Sequence, residues 1–282
     1  MEPIQNLDGN SRIYAVFGDP VSQVQTPHLI NPLFAKNGKN CFAVPFHVTP
    51  PMLGKTWSVF REFSNLAGIG VTVPHKVAAF HLCDEVSPAA QAVGAVNSIQ
   101  RTLDGRMIGA LFDGVGFVNG LGKHRSRLHG ARVLLFGGGG AGRAIAHALV
   151  DEGIAALNIV DLDSDATDFT AALVNTAAGC QLAGPAKEPP EICDVIINAT
   201  PVGLRSNARL PVNLEALDPS VLVADIASLD RQTELLKAAK AKGCMTSNGN
   251  DMLRAQIKLI AGFATGAPAG TEISGYQLLP EE

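Results

Sequence analysis

The glycine-rich stretch GGGGAGR, residues 137–143, constrains the fold of this chain more than any other feature. It contains the pattern Gly137-x-Gly139-x-x-Gly142, between the apolar run RVLLF and the helix-periodic run RAIAHALVDEG. Such glycines allow a tight turn and a close approach of the backbone to a pyrophosphate, and the helix that follows supplies free N–H groups. The alternative is a glycine turn that only packs tightly. We predict a Rossmann-type dinucleotide-binding unit.

An acidic residue, Asp161, closes the next strand-like run, NIVD. A carboxylate at this position can accept both hydroxyls of an adenosine ribose and would repel a 2′-phosphate. The segment DLDSDATD offers four aspartates and no cation to receive that phosphate, so NAD is favoured and NADP remains possible. The alternative role for these acids is helix capping, which Asp163, Ser164 or Asp165 could perform.

Strand-like and helix-like runs alternate along most of the chain. Apolar strands that alternate with helices indicate a parallel sheet covered on both faces, so the fold class is α/β. After the polar break HRSRLHG the alternation starts again with RVLLFGG. The first part contains three strand-like runs and a hairpin with Asp104-Gly105 as its turn, at residues 12–18, 41–48, 68–74 and 95–111.

Composition excludes several classes of function. The hydrophobic content is 46%, which suffices for a large core, and the net charge of −4 includes no basic run, so a nucleic-acid partner is not expected. Five scattered cysteines without a CxxC pair suggest neither a disulfide framework nor a zinc site, and no metal is predicted. No run approaches the ~20 apolar residues of a membrane span, and the start lacks the apolar core of a signal peptide, so we expect a cytoplasmic protein.

The stretch GVTVPHK, residues 70–76, predicts a short strand that Pro74 ends, because proline has no N–H for the sheet. Two titratable residues, His75 and Lys76, follow directly. From this stretch alone, Lys76 is either a solvated loop charge or a functional group, and His75 has no evident role.

Seven motifs, taken in order, resemble the shikimate/quinate dehydrogenase family over nearly the whole chain. They are YAVFGDPVSQVQTP (14–27), GVTVPHK, GAVNS (94–98), FDGVGF (112–117), GGGGAGR, INATPVGL (197–204) and GNDMLRAQ (249–256). The resemblance implies an N-terminal α/β substrate domain (1–112), a Rossmann domain (113–249) and C-terminal helices (250–282) that return to the substrate domain. It also implies an NAD(P)-dependent dehydrogenase of shikimate, giving 3-dehydroshikimate, or of quinate or a related cyclic polyol acid. A non-catalytic dinucleotide-binding sensor of the same fold is the alternative.

The resemblance also implies roles for particular residues. Lys76 and Asp113 match the catalytic pair, in which Lys76 either takes the hydroxyl proton while transiently neutral or stabilises the developing alkoxide. The implied partner is a small-molecule substrate, and the implied assembly is a monomer or homodimer. The implied substrate contacts are Thr26, Thr72, Asn97, Gln256 and Ser228. The implied cofactor contacts are Gly137, Gly139, Gly140, Ala141, Gly142, Arg143, Asp161, Thr200, Pro201, Ile226 and Gly249.

Several positions depart from the family pattern. The Ser-x-Ser pair that holds the substrate carboxylate is here Val24-Gln25-Thr26, and Ser228 stands where the family has a tyrosine. Gly70 replaces an asparagine, and the two polar residues before the aspartate are replaced by Leu111 and Phe112. The catalytic pair is kept and the carboxylate contacts are altered, which predicts a divergent member and is compatible with a shifted substrate.

Overall fold

The computed structural model describes residues 7–22, 24–186, 193–202, 218–227 and 232–270. The chain divides into two units. One unit comprises Met1–Phe112 together with Gln256–Glu282, and the other comprises Asp113–Ala255. Each unit contains one six-stranded sheet built from the described residues.

The sheet of the first unit is mixed. Its strands run in the order β2-β1-β3-β5-β6-β4, and all neighbours are parallel except that β5 is antiparallel to both β3 and β6. The strands are β1 (Arg12–Gly18), β2 (Cys41–His47), β3 (Leu66–Val71), β4 (Glu85–Val86), β5 (Ser98–Arg101) and β6 (Met107–Ala110). The helices are α1 (Thr26–Lys36), α2 (Leu53–Arg61), α3 (Lys76–Phe80) and α4 (Pro88–Val93).

Two local sequence features of this unit have clear structural outcomes. The predicted hairpin forms, with β5 antiparallel to β6, and Gly105 in its turn adopts a φ of +85° that favours glycine. Strand β3 ends at Val71 rather than at Pro74 as predicted. Main-chain bonds between the two segments nevertheless continue past the end of the strand, because Thr72 N–H donates to Phe17 O over 3.0 Å and Asp19 N–H donates to Val73 O over 3.1 Å.

The sheet of the second unit is entirely parallel. Its order, β12-β11-β10-β7-β8-β9, is that of a Rossmann fold, as the sequence predicted. The helices are α5 (Asp113–Gly120), α6 (Gly140–Asp151), α7 (Ser164–Ala178), α8 (Glu234–Ala241) and α9 (Gly249–Ala264). The strands are β7 (Arg132–Phe136), β8 (Ala156–Val160), β9 (Ala183–Pro185), β10 (Val195–Asn198), β11 (Leu222–Asp225) and β12 (Met245–Asn248).

Helix α9 passes from the second unit into the first. From Gln256 onward it belongs to the first unit, where Ile257, Ile260 and Phe263 are buried in the same apolar cluster as Tyr14 of β1. A side-chain contact also ties the end of the helix to the sheet, because Gln100 Nε2 on β5 donates to Phe263 O over 2.6 Å. These contacts fix the position of Gln256 relative to the first sheet. None of the helices described in the structure is both long enough and apolar enough to span a membrane.

Candidate functional site

The glycine loop at the end of β7 takes the form expected of a phosphate-binding turn. Gly137 has a φ of +98°, and a Cβ atom there would lie 2.9 Å from the backbone of Ala199. A Cβ on Gly142 would lie 1.9 Å from Gly137 O, so the turn excludes a side chain at both positions. Gly139 is the N-cap of α6, and a Cβ there would meet nothing within 4 Å. The backbone is therefore open at Gly139, at the start of a helix whose first residues are Gly140 and Ala141.

Asp161 is bound to this loop. Its Oδ2 accepts the Gly138 N–H over 2.7 Å, and its Oδ1 accepts the Asp163 N–H over 3.1 Å. A carboxylate oxygen has a second lone pair, so both oxygens can still accept hydroxyls of a ribose. Asp163 is the N-cap of α7 and accepts the Asp165 N–H over 3.0 Å, so the predicted capping role belongs to Asp163.

Arg143 supplies the cation that the segment after β8 lacks. Its Nε donates to Gly138 O over 2.8 Å, and its guanidinium lies over the Phe169 ring at 4.2 Å from the centroid. Burial lowers the pKa of Arg143, and the nearby Asp163 and Asp161 carboxylates oppose that shift. The segment DLDSDATD itself contains no cation, but Arg143 brings one near Asp161 and Asp163 from α6, a separate part of the sequence.

The turn after β10 is organised by a residue that the sequence analysis did not single out. Asn198 is fully buried, and its Oδ1 accepts both the N–H and the hydroxyl of Thr200, over 3.2 Å and 2.7 Å. Its Nδ2 donates to Val202 O over 3.0 Å, so the turn that contains Pro201 is held by one amide. The signal available in the sequence was the asparagine directly after the apolar run DVII.

Ile226 and Gly249 lie side by side in the second unit. A Cβ on Gly249 would be 2.2 Å from Ile226 O, so the first turn of α9 approaches the end of β11 only because residue 249 is glycine. Ile226 N–H donates to Asn198 O over 3.0 Å, which extends the β10–β11 pairing by one residue. Ser228, the remaining predicted residue of this segment, lies outside the described residues.

On the first unit, Lys76 is the first residue of α3 and is partly buried. Its carbonyl oxygen accepts the Val96 N–H over 3.1 Å, and the next residue, Asn97, donates its N–H to Ala110 O over 2.9 Å. The preceding residue, His75, is buried, and its Nε2 donates to Val48 O over 2.6 Å. Main-chain bonds thus bring the segment of Lys76 beside that of Asn97.

A buried amide pair lies next to this segment. Asn97 Nδ2 donates to Gln256 Oε1 over 2.9 Å, and Asn97 Oδ1 accepts the Phe112 N–H over 3.0 Å. Asp113 follows Phe112 directly, is 3% exposed and is the first residue of α5. The structure therefore brings Asn97 and Gln256 into contact. It also bonds Asn97 to Phe112, the residue directly before Asp113.

The two predicted threonines lie near the ends of strands. Thr26 is the first residue of α1 and is partly buried. Thr72 follows β3, and its methyl Cγ2 fills the space where a Cβ on Gly18 would lie, 2.7 Å away. Within the described part of the chain neither hydroxyl has a hydrogen bond.

Three of the departures from the family pattern, Val24, Phe112 and Gly70, lie in packed surroundings of the first unit. Val24 packs against the apolar cluster of the first unit, where its Cγ2 lies near Gly18. Phe112 is 3% exposed and contacts Phe263 edge-on, with ring centroids 5.7 Å apart. A Cβ on Gly70 would lie 3.1 Å from the Tyr14 hydroxyl, so the Tyr14 side chain lies directly against Gly70.

The polar groups of the second unit fit a dinucleotide. An open glycine turn and a helix N-terminus suit a pyrophosphate, and the Asp161 carboxylate suits a ribose. Across the described ranges no group of three or more His, Cys, Asp or Glu side chains could hold a metal ion.

Comparison with known proteins identifies the family of this chain. The family described as "Shikimate dehydrogenase substrate binding domain" matches residues 16–99. A shikimate dehydrogenase (NADP(+)) of Gluconobacter oxydans is 34% identical over 91% of this chain and 90% of its own length. The chain belongs to the shikimate dehydrogenase family. It is a nicotinamide-dinucleotide-dependent oxidoreductase, which removes the non-catalytic sensor from consideration.

Two solved structures show how far this family resemblance extends. The 5-ketofructose reductase of Gluconobacter sp. strain CHM43 is 30% identical, with a TM-score of 0.77, and the match covers 92% of this chain and 94% of that one. The quinate dehydrogenase of Corynebacterium glutamicum, in complex with NAD, is 28% identical with a TM-score of 0.80, over 91% and 94% of the two chains. Members of one fold thus act on different substrates.

Proposed function

We propose that this protein catalyses the reversible oxidation of shikimate to 3-dehydroshikimate, or of a closely related cyclic polyol acid such as quinate, with NAD favoured over NADP. The observation that carries the proposal is the buried amide pair Asn97–Gln256, which main-chain bonds hold beside the segment of Lys76. Side-chain amides offer a donor and an acceptor to neighbouring hydroxyls, which suits a ring that carries several.

Lys76 and Asp113 handle the proton in this proposal. When bound, the nicotinamide would accept the hydride from the carbon of the secondary alcohol. Before or as that hydride leaves, Lys76 either removes the hydroxyl proton or stabilises the developing alkoxide with its N–H groups. Asp113 is buried, so its carboxylate needs polar partners, and it would orient the lysine ammonium and bind a neighbouring substrate hydroxyl.

The preference for NAD rests on Asp161. Its carboxylate is bound to the glycine turn through the Gly138 N–H, which supports a role as ribose acceptor, and its charge would repel a 2′-phosphate. Arg143 acts in the opposite direction, since its guanidinium lies close enough to Asp161 and Asp163 for their charges to affect its pKa. Two acids beside one half-buried arginine leave little net positive charge for a phosphate, which favours NAD.

The deciding experiment follows absorbance at the reduced-nicotinamide band with the purified protein. Shikimate and quinate are each offered with NAD and with NADP, and kcat/KM is measured for the four combinations. We expect the highest value with NAD and one of these acids. Failure to oxidise either acid with either cofactor would disprove the proposed substrate class, and a preference for NADP would disprove the cofactor assignment.

A second candidate substrate class is an uncharged polyhydroxy ketone. Val24 stands in the loop expected to bind a carboxylate and packs its side chain on the apolar cluster, so it offers no hydrogen bond. The similarity to a 5-ketofructose reductase supports the same class, because that substrate carries no carboxylate. Reduction of 5-ketofructose with NADH and NADPH belongs in the same assay, and a kcat/KM above that for both acids would favour this candidate.

A further inference from the structure

The segment that carries Lys76 has a single buried side chain. Of the described residues from 72 to 78, only His75 is buried, with 1% of its surface exposed. Its neighbours are exposed or partly buried, and Val73 is 59% exposed. Packing by the other side chains therefore contributes little to the position of this segment, so His75 is its main side-chain attachment to the rest of the first unit.

The imidazole of His75 binds a carbonyl group that has no other donor. His75 Nε2 lies 2.6 Å from Val48 O, and a carbonyl oxygen can only accept, so Nε2 carries the proton. Val48 is 4% exposed, and among the described residues no second donor reaches its oxygen. An apolar side chain at position 75 would leave this buried carbonyl unsatisfied, which is unfavourable. Position 75 therefore requires a donor as well as a side chain that fills the space.

Val48 connects the His75 ring to the end of β1. Its N–H donates to Gly18 O over 3.2 Å, and its carbonyl oxygen accepts from His75, so both main-chain groups of one residue are used. Gly18 is followed by the loop that leads to α1, which the family resemblance assigns to the substrate. The His75 ring thus joins the segment of Lys76, through one residue, to the start of that loop.

Main-chain bonds attach the segment at two other points. Asp19 N–H donates to Val73 O over 3.1 Å, and Val96 N–H donates to Lys76 O over 3.1 Å. A short segment attached at two points can still turn about the line that joins them, and a third attachment away from that line removes this freedom. The His75 side chain supplies the third attachment, one residue before Lys76.

We propose that His75 is the positioning residue of Lys76, because its bond to Val48 O fixes the start of α3 and hence the place of the lysine side chain. The inference rests on the proposed function, in which Lys76 handles the hydroxyl proton. His75 acts through Lys76 and does not contact the substrate. Misplacement of a reacting group by about 1 Å can lower a rate on the order of 100-fold, so loss of the bond should appear in kcat.

The test compares two side chains of similar length at position 75. In His75→Gln the amide NH₂ lies about as far from the backbone as the imidazole Nε2–H, so it can still donate to Val48 O. In His75→Met the length is kept and the donor is lost. We expect His75→Met to lower kcat by roughly 10- to 100-fold with KM within about two-fold of the wild type, and His75→Gln to recover most of kcat.

The pair of variants separates positioning from a general structural role. A wild-type kcat in His75→Met, or equal losses of kcat in His75→Met and His75→Gln, would overturn the proposal, because the donor would then have no effect. A rise in KM as large as the fall in kcat would also overturn it, since the residue would then act on substrate binding. Titration with NAD should give the same affinity in all three proteins.

A measurement on the wild type does not depend on whether a variant folds. In ¹⁵N-labelled protein, the His75 ring should carry a proton on Nε2, and that proton should exchange slowly with water because it is buried and bonded. The signals that disappear in His75→Gln identify this ring. A His75 ring with its proton on Nδ1 alone would overturn the proposal, because Nε2 could not then donate to Val48 O.

The reactivity of Lys76 separates this inference from the proposed function. Modification by trinitrobenzenesulfonate, read by peptide mass spectrometry relative to the exposed Lys55, requires no substrate. The ratio should rise in His75→Met, because a lysine that leaves its fixed position is more accessible, and stay near the wild-type value in His75→Gln. A ratio that does not rise in a folded His75→Met would overturn the proposal, whatever the substrate. Lack of turnover in the wild type, together with the expected ratios, would contradict the proposed function alone.

Discussion

Gly138 N–H donates to Asp161 Oδ2 over 2.7 Å, which joins the phosphate-binding turn to the residue expected to select the ribose. Replacing Asp161 by Asn removes the negative charge and keeps an oxygen that can accept one backbone N–H. We expect the ratio of kcat/KM for NAD to that for NADP to fall in Asp161→Asn, because the 2′-phosphate no longer meets a carboxylate beside Arg143. Initial rates with both cofactors measure this ratio.

The control is Asp165→Asn, which makes the same charge change at an exposed position in the first turn of α7. It should leave the ratio near that of the wild type. Equal ratios in the wild type and Asp161→Asn would remove Asp161 from cofactor selection.

Lys76→Ala should lower kcat by about 100-fold or more, the usual contribution of a positioned proton-transfer group, and leave NAD affinity nearly unchanged. Asp113→Asn should also be strongly impaired, because the buried carboxylate is replaced by a neutral group. Lys55→Ala removes an exposed lysine from α2 and serves as the control. Near-normal turnover in Lys76→Ala would exclude Lys76 from the mechanism.

Local patterns predicted much of this fold, because their physical cause lies within a few residues. The bounds of β1, residues 12–18, agree with the apolar run RIYAVFG, and the Asp104-Gly105 turn follows from the conformational freedom of glycine. The glycine loop was predictable for the same reason, since a Cβ on Gly142 would meet the backbone of the same turn.

Contacts between distant segments were not predictable from such patterns. Asn97 and Gln256 are 159 positions apart, and the resemblance to a family suggested a role for each without their mutual hydrogen bond. The approach of Arg143 to Asp161 depends on how α6 and β8 pack, which the charge pattern of the segment DLDSDATD does not contain. Val24 was recognised as a departure, but its packing on the apolar cluster required the structure.

Two glycines of one loop should respond differently to alanine. In Gly142→Ala the new Cβ would lie 1.9 Å from Gly137 O, so the turn must shift, and we expect a loss of ~1–3 kcal/mol in the free energy of unfolding. In Gly139→Ala the Cβ meets nothing within 4 Å, and only a poorer N-cap is expected, with a cost of about 0.5–1 kcal/mol. The Gly139 variant should instead bind NAD more weakly, because its Cβ lies where a pyrophosphate would approach.

Urea unfolding and a titration with NAD measure the two effects separately. The assignment of the loop would be contradicted by a Gly139→Ala variant that binds NAD as well as the wild type. Equal stability of the wild type and Gly142→Ala would contradict the close packing of the turn.

Asp225 should make stability depend on pH. It is 1% exposed at the end of β11, accepts the Thr233 hydroxyl over 2.8 Å and the Ala227 N–H over 3.1 Å, and burial raises its pKa above the ordinary 3.8. Between the unfolded and the raised folded pKa the native state binds more protons, so stability falls as pH rises through this window. We expect the wild type to gain stability relative to Asp225→Asn as pH falls from 7 towards ~4.

Urea unfolding midpoints of the two proteins across this pH range test the sign, because the other acids of the chain contribute equally to both. A wild type that loses stability relative to Asp225→Asn on acidification would show that the hydrogen bonds outweigh burial and hold the pKa of Asp225 below its ordinary value.

Substitutions of Val24 and Thr26 should show whether the loop before α1 binds the substrate carboxylate. Thr26 is the hydroxyl that remains there, and a hydrogen bond to a charged group typically contributes ~1.5–3 kcal/mol, so Thr26→Ala should raise KM for shikimate roughly ten- to a hundred-fold. Val24→Ser should lower that KM and change kcat little, because a carboxylate is bound alike in the ground and transition states.

Unchanged KM values for shikimate and quinate in Thr26→Ala would show that this loop does not hold the carboxylate. A Val24→Ser variant that loses kcat/KM for 5-ketofructose and gains none for shikimate would instead identify Val24 as part of a pocket for an uncharged substrate.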